Sequence, residues 1–271
     1  MLPPAGVRER VRAVHGGAAL PELLRRYDGW AGRYEQDVAA LEYRAPHLAA
    51  ASLAFAFPAP PAGARVLDVG CGTGLVAREL QRRGFGCLHG VDGSAGMLER
   101  ARGTGLYRQL QRCVLGREPL PGPAEHYDAV TVVGALGEGQ VPCSVLPELL
   151  RVTKPGGFLC LTTRSNPSNL RYKVELEAAL QRLEQQGAWQ KVLAQEVERW
   201  ERATEEEESV QGTGYISGVV YIYPPSDWAE PPPVWAVSSP PCPPATWPWS
   251  KSGSFFIFPA PDPRPLPGDC C

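Results

Sequence analysis

Arg65-Val66-Leu67-Asp68-Val69-Gly70-Cys71-Gly72-Thr73-Gly74-Leu75 is the stretch whose reading decides the fold. Strand-forming residues run into three glycines at alternate positions, and helix formers with an apolar face continue through Leu80. The pattern is strand, tight turn, helix. A side chain at Gly70, Gly72 or Gly74 would hold a ligand off the backbone, and the unpaired N–H groups opening the helix suit an anionic group. Asp92 follows eighteen residues after Gly74, at the end of a second apolar stretch, Leu88-His89-Gly90-Val91. A carboxylate there can accept both hydroxyls of a ribose, so turn and acid together read as a nucleoside-cofactor site. The spacing GxGxG differs from the GxGxxG of dinucleotide oxidoreductases, and the GxxxxGK[ST] of ATP-binding loops is missing here.

Residues 66–74 (VLDVGCGTG) and 90–98 (GVDGSAGML) resemble motifs I and II of the class I S-adenosylmethionine-dependent methyltransferases. Tyr127 to Val133 resembles the fourth strand of that family, and Leu149 to Leu159 its LRVLKPGG turn into the fifth. Tyr27-Asp28-Gly29-Trp30-Ala31 with Tyr34 resembles the segment that closes over the cofactor. The resemblance implies an α/β fold: a Rossmann-like seven-stranded sheet flanked by helices, its last two strands a hairpin, with an N-terminal helical lid. Three regions are expected: lid and connector over residues 1–62, the methyltransferase domain over 63–223, and a proline-rich tail over 224–271.

S-adenosylmethionine is the implied cofactor. By the resemblance, Gly70, Cys71, Gly72, Thr73 and Gly74 admit it, and Asp68 shapes the loop and helps hold its charged amino end. Asp92 and Gly93 meet the ribose, Met97 the adenine, and Gly134 the border with substrate. Tyr27 and Tyr34 cover the methionine end and are the candidates for orienting a nucleophile. After the third strand many relatives carry Gly-Asp, whereas here Gly116 precedes Arg117 and Glu118. Either Glu118 or backbone near Leu115 then meets the adenine. The polar run after the fifth strand, with Asn166, Asn169 and Tyr172, and Leu136 after the fourth are candidate substrate contacts.

The 271 residues, 44% of them apolar, suffice for one large α/β domain with a tail. A net charge of −2 gives no broad attraction to nucleic acid or anionic membrane. With neither a signal peptide nor a membrane span in the sequence, the expected protein is a monomer in the cytoplasm or also the nucleus, acting on a small-molecule or protein acceptor. The eight cysteines show no metal-binding spacing, so no metal is expected and the scattered ones read as reduced packing residues. Cys71 has no base placed beside it by sequence, and His89 reads as structural.

In chain order, helices are expected over 7–16, from Pro21 to Tyr27, and in one or two pieces from Asp37 to Phe57. If Tyr27, Trp30 and Tyr34 lie on one helix, their rings share a face. The third strand is expected over 106–115, a glycine-rich loop over 134–140, and a helix over 173–188 with Val174, Leu176, Leu180 and Leu183 inward. Val192 to Ala203 and Tyr215 to Tyr223 read as a hairpin, with Glu205 to Glu208 a solvated acidic turn between them. The tail is expected to be disordered and could dock a proline-recognising domain. The function this implies is methyl transfer to an N, O or S acceptor. The alternative is a non-catalytic binder of the cofactor acting through partners, and an NAD-dependent oxidoreductase is disfavoured by the glycine spacing.

Overall fold

The computed structural model describes residues 2–57, 61–191, 193–210 and 212–223. The proline-rich tail lies outside the described residues. Seven strands form one sheet in the order β3-β2-β1-β4-β5-β7-β6. They are β1 (Arg65–Val69), β2 (Cys87–Asp92), β3 (Gln109–Arg112), β4 (Tyr127–Leu136), β5 (Thr153–Arg164), β6 (Leu193–Arg202) and β7 (Tyr215–Tyr223). The first five are parallel, whereas β7 runs antiparallel to both β5 and β6. The strand order reverses between β1 and β4, the place where doubly wound sheets open a crevice.

Alternation along the strands divides the core between two faces. Leu67, Val69, Val130, Leu159 and Leu161 face one side, where α7 (Leu146–Val152) and α8 (Leu170–Gln185) cover them. Val66, Leu88, Ala129, Phe158 and Cys160 face the other, against α4 (Ala45–Ala56) and α5 (Leu75–Gln81). α4, grouped with the lid by sequence, belongs to this flank: Ala45, Ala49 and Ala50 are small enough to bring its backbone close, and the Cys160 thiol reaches the Ala49 carbonyl at 3.6 Å.

Above the sheet's carboxyl end, α1 (Ala5–His15), α2 (Leu20–Trp30) and α3 (Tyr34–Ala40) share a separate cluster of Val7, Val11, Val14, Leu23, Trp30 and Leu41. Asp37 ties it together, accepting from Arg10 at 2.5 and 2.9 Å and from Trp30 Nε1 at 2.7 Å. Those hydrogen bonds, Arg10 foremost, hold its carboxyl below the usual range despite burial. Tyr34 starts a new helix after a turn, so the shared helical face expected for the three aromatics is broken. Their rings still touch in sequence: Tyr27 stacks on Trp30 with centroids 6.2 Å apart, and Tyr34 meets Trp30 edge-on at 4.9 Å.

Other differences are local. β3 is four residues long, shorter than the 106–115 expected. Gly134 to Leu136 continue β4 instead of opening the loop. α8 begins at Leu170, and Val174 is 65% exposed because Tyr172, Leu176 and Leu180 make the inward stripe. The acidic turn is tied down as well as solvated: Glu205 accepts from Arg12 at 2.7 Å and Glu208 from Asn166 at 2.5 Å.

Candidate functional site

The turn after β1 bends back over β2, with the N–H groups of Gly70 and Cys71 donating to the Val91 carbonyl at 2.8 and 3.0 Å. Asp92 then braces the turn. Its Oδ2 accepts from Gly72 N–H at 2.9 Å and its Oδ1 from Ser94 N–H at 2.8 Å, leaving a lone pair on each oxygen. Burial raises its pKa. Gly72 has φ +53°, and a Cβ there would meet nothing within 4 Å: it would project into open space. That gap, beside two hydrogen-bond acceptors, is a cradle only a bare backbone leaves open.

The gap belongs to a cavity of about 120 Å³. Gly70, Gly72, Asp92, Gly93, Met97, Leu115 and Gly134 wall it from the sheet side, and Tyr27 and Tyr34 close it from the lid. Leu20, Leu23 and Leu24 of α2 complete an apolar slot opposite Val114 and Leu115. Asp28 latches the lid to α6 (Ala95–Gly103), accepting from Ser94 Oγ at 2.5 Å and Gly96 N–H at 2.9 Å. Burial works to raise its pKa, but these hydrogen bonds outweigh burial and hold it low. Asp28→Ala should weaken binding of S-adenosylhomocysteine at least tenfold and speed trypsin cleavage at Arg25, Arg26 or Arg33; an unchanged affinity in calorimetry would show the latch to be irrelevant.

Several predicted cofactor residues lie off this cavity. Asp68 is buried in β1, where it accepts from Tyr107 at 2.7 Å and Thr131 at 3.1 Å, so it supports the turn from beneath. Cys71 packs under the loop against Leu98 and Ala101. Burial pushes its thiol well above the ordinary value, contrary to what a nucleophile requires. Gly74 caps α5 against Tyr107, and Thr73 faces a separate open cleft beside Arg78 and Arg100. Gly116 lies against Pro142. Glu118 is exposed and accepts from Val114 N–H at 2.9 Å, so its carboxylate is spent on its own loop. Of the two adenine alternatives, the segment at Val114 and Leu115 is the one that lines the cavity.

Burial pushes Asp68 up to about 6. A folded pKa above the unfolded one contributes stability that is full below about pH 4 and lost as pH rises through about 6. The wild-type protein should therefore gain about 1 kcal/mol on Asp68→Asn between pH 7.5 and pH 5. Denaturant melts of both proteins at the two pH values measure it, and a constant difference would count against it.

A second, inner cavity of about 60 Å³ adjoins the first and shares Tyr27, Tyr34, Gly134 and Gln140 with it. At roughly 10–15 Å³ per water, it encloses only a compact chemical group. Two irregular strands shape it. Between Val132 and Leu136, β4 spans four residue steps where β5 takes two, and Gly134 within the bulge has φ +73°. The Tyr43 hydroxyl stands where a Gly134 Cβ would be. Between Val197 and Glu201, β6 spans four steps against two of β7. That second bulge turns Trp200 flat onto Gly218 and brings Glu201 to the cavity. Bulges beside sites commonly re-aim side chains in this way.

Gln140 joins lid to body. Its Oε1 accepts from Tyr27 at 3.0 Å, while its Nε2 donates to the Val14 carbonyl at 2.6 Å. Arg164 donates to His15 Nδ1 at 3.0 Å. Burial first, and Arg164 second, drive the His15 pKa well down, so His15 is neutral with its proton assigned to Nε2. Burial lifts the Tyr27 and Tyr34 phenols far above 10, so they remain hydroxyls at neutral pH and are not bases.

Among the predicted substrate contacts, Leu136 lines the inner cavity and Asn166 an outer one. Asn169 and Tyr172 are spent on architecture. Asn169 donates to Thr163 and the Arg164 carbonyl and accepts from Glu138 N–H, while Tyr172 donates to the Val141 carbonyl at 2.6 Å. The sequence pattern did not single out His15, Tyr43 or Glu201. The only signal at Glu201 was a polar residue in a strand next to an inward Trp.

The fold and the glycine–aspartate cradle define a nucleoside-cofactor protein of the Rossmann-like methyltransferase type. The methyltransferase domain family model matches residues 41–210. The chain belongs to that family, the S-adenosylmethionine-dependent methyltransferases. It is similar to human Methyltransferase-like protein 27, 60% identical over 193 residues that cover 71% of this chain and 78% of that one. It also resembles the Ubiquinone biosynthesis O-methyltransferase of Alkalilimnicola ehrlichii, 32% identical over 147 residues, 52% of this chain and 59% of that one. A chain from the complex of the Haloferax volcanii Trm112 methyltransferase activator with a methyltransferase shares the fold, with a TM-score of 0.52 and 19% identity. That match covers 73% of this chain and 97% of the other. Among the described residues, no helix is long and apolar enough to cross a membrane.

Proposed function

We propose that the chain binds S-adenosylmethionine in the larger cavity and methylates an N, O or S atom of a small molecule held in the inner one. The observation that carries this is the shared wall: Tyr27, Tyr34, Gly134 and Gln140 border both cavities, so a group in one meets a group in the other there. The open space at Gly72 and the two accepting oxygens of Asp92 fit the cofactor's backbone approach and ribose. When bound, the cofactor supplies a methyl carbon to which the acceptor's lone pair bonds, as the carbon–sulfur bond breaks and its electrons stay on sulfur.

The chain's own contribution is alignment and exclusion of water. Asp92 fixes the sugar, the leucines of α2 cover the apolar slot, and the neutral phenols of Tyr27 and Tyr34 point the acceptor atom. His15 makes a poor base, because protonation at Nδ1 would oppose Arg164. Acceptors that need no strong base, amines and thiols or acidic hydroxyls, suit such a site. The inner cavity admits only a compact group, which we take to be part of a small molecule.

The test follows S-adenosylhomocysteine formation by the full chain with fractionated metabolite extract and with a peptide pool. Product is expected with the small-molecule fraction. Tight cofactor binding without product in either pool would overturn the reading in favour of a non-catalytic binder.

A further inference from the structure

An outer cavity of about 160 Å³ continues from the inner one, and the two meet at Val11, His15, Leu41, Arg164 and Glu201. Most charges around the outer cavity are already matched. Arg12 donates to Glu205, Arg202 pairs with Glu42, and Glu208 accepts from Asn166 and Ser168. The two at the junction are different. Among the described residues Arg164 meets no carboxylate in ion-pair contact and spends one donor on neutral His15, while no donor hydrogen-bonds to Glu201. Asn166, 4% exposed, lines the outer cavity, and its Oδ1 is buried and accepts nothing. Burial raises the Glu201 pKa and Arg164 lowers it, so the two groups sense each other without touching. The Glu201 charge also reaches the Tyr34 and Tyr43 phenols, which puts it beside the inner cavity.

Opposite charges held apart in a half-buried space are costly unless a ligand supplies a counter-charge to each. A neutral ligand would leave both unmatched, and a simple anion would leave Glu201 facing it. Resting on the acceptor site proposed above, we infer that the acceptor is a small zwitterion of the α-amino acid type, its carboxylate held by Arg164 and its ammonium by Glu201 with Asn166 Oδ1. The remainder of the molecule then runs through the inner cavity toward Tyr27 and Gly134, where the methyl group arrives. The bulge in β6 is the device that makes this possible, because it brings Glu201 to the cavity beside Trp200.

The experiment uses the full chain saturated with S-adenosylhomocysteine and titrates it calorimetrically with the twenty standard free amino acids. The best binder is then compared with its methyl ester and its N-acetyl derivative. At least one free amino acid is expected to bind, and blocking either end should weaken it tenfold or more. Arg164→Gln should abolish the penalty for the ester and Glu201→Gln the penalty for the N-acetyl form. Binding of S-adenosylhomocysteine by each variant reports that it is folded, and the wild-type comparison decides the matter if a variant is not. The inference is overturned if no free amino acid binds, or if the blocked forms bind equally well. Absence of S-adenosylhomocysteine binding in the first step would instead sink the cofactor reading itself.

Discussion

Replacing Asp92 by Ala should weaken binding of S-adenosylhomocysteine at least about 100-fold, the largest effect expected of any single side chain in the site. A hydrogen bond to an ionised group contributes about 1.5–3 kcal/mol, and two ribose hydroxyls make roughly 3–6 kcal/mol, which corresponds to a factor of 100 or more. The same carboxylate braces Gly72 and Ser94, so some of the loss comes from a relaxed turn. Asp92→Asn separates the two contributions. Its amide oxygen can still accept from one backbone N–H, but its NH₂ cannot accept a hydroxyl. Calorimetry should place it between wild type and Ala, and equal affinities for all three proteins would rule out the sugar contact.

Gly134→Ala carries the second large effect. The residue sits at φ +73° within the β4 bulge, a conformation that costs an L-residue about 1–2 kcal/mol. Its methyl group would also occupy the place of the Tyr43 hydroxyl, and overpacking of that kind costs typically 1–3 kcal/mol. Together the two predict a loss of roughly 2–5 kcal/mol, or a fall of about 5–15 °C in Tm. Adding Tyr43→Phe to the Gly134→Ala variant removes the atom that overlaps and should recover the packing part only. The double-mutant cycle thus gives a coupling of about 1–3 kcal/mol. Additive effects would mean that Tyr43 yields without cost. Methyl transfer should fall further than stability, since Gly134 forms part of the wall between the two cavities.

The half of the candidate site proposed for the cofactor was legible in the sequence as a local pattern because it rests on backbone. Glycine spacing and an acid at the end of the next strand leave marks in a single chain, and Gly70, Gly72, Asp92, Gly93 and Met97 do gather at one cavity. The single elements were legible for the same reason, since strand alternation and helix periodicity are local, whereas the architecture of the sheet followed from the resemblance of residues 27–164 to the methyltransferase family. What the sequence leaves unmarked depends on how strands pair. Glu201 lies at the inner cavity because β6 takes four steps against two of β7, and no local pattern announces a bulge. Asn169 and Tyr172 misled in the opposite sense. Polar residues in a loop at the ligand end suggest substrate contacts, yet a loop that crosses the sheet's end has its own carbonyls and N–H groups to satisfy. Glu118 shows a related failure, since an acid near the expected position was spent on the N–H of Val114.

The lid is intermediate. Its aromatics were legible, but the residues that fasten it were only partly so: Asp28 lay inside the recognised segment, whereas Gln140 lay in a loop named for its glycines. Both act by linking α2 to groups more than sixty residues away in the chain, Ser94 for Asp28 and Tyr27 for Gln140.

Calorimetric titration of the full chain with S-adenosylmethionine, followed by competition, tests cofactor binding most directly. One site per chain is predicted, displaced by S-adenosylhomocysteine and untouched by NAD. No heat with either sulfur nucleoside, or displacement by NAD, would contradict it.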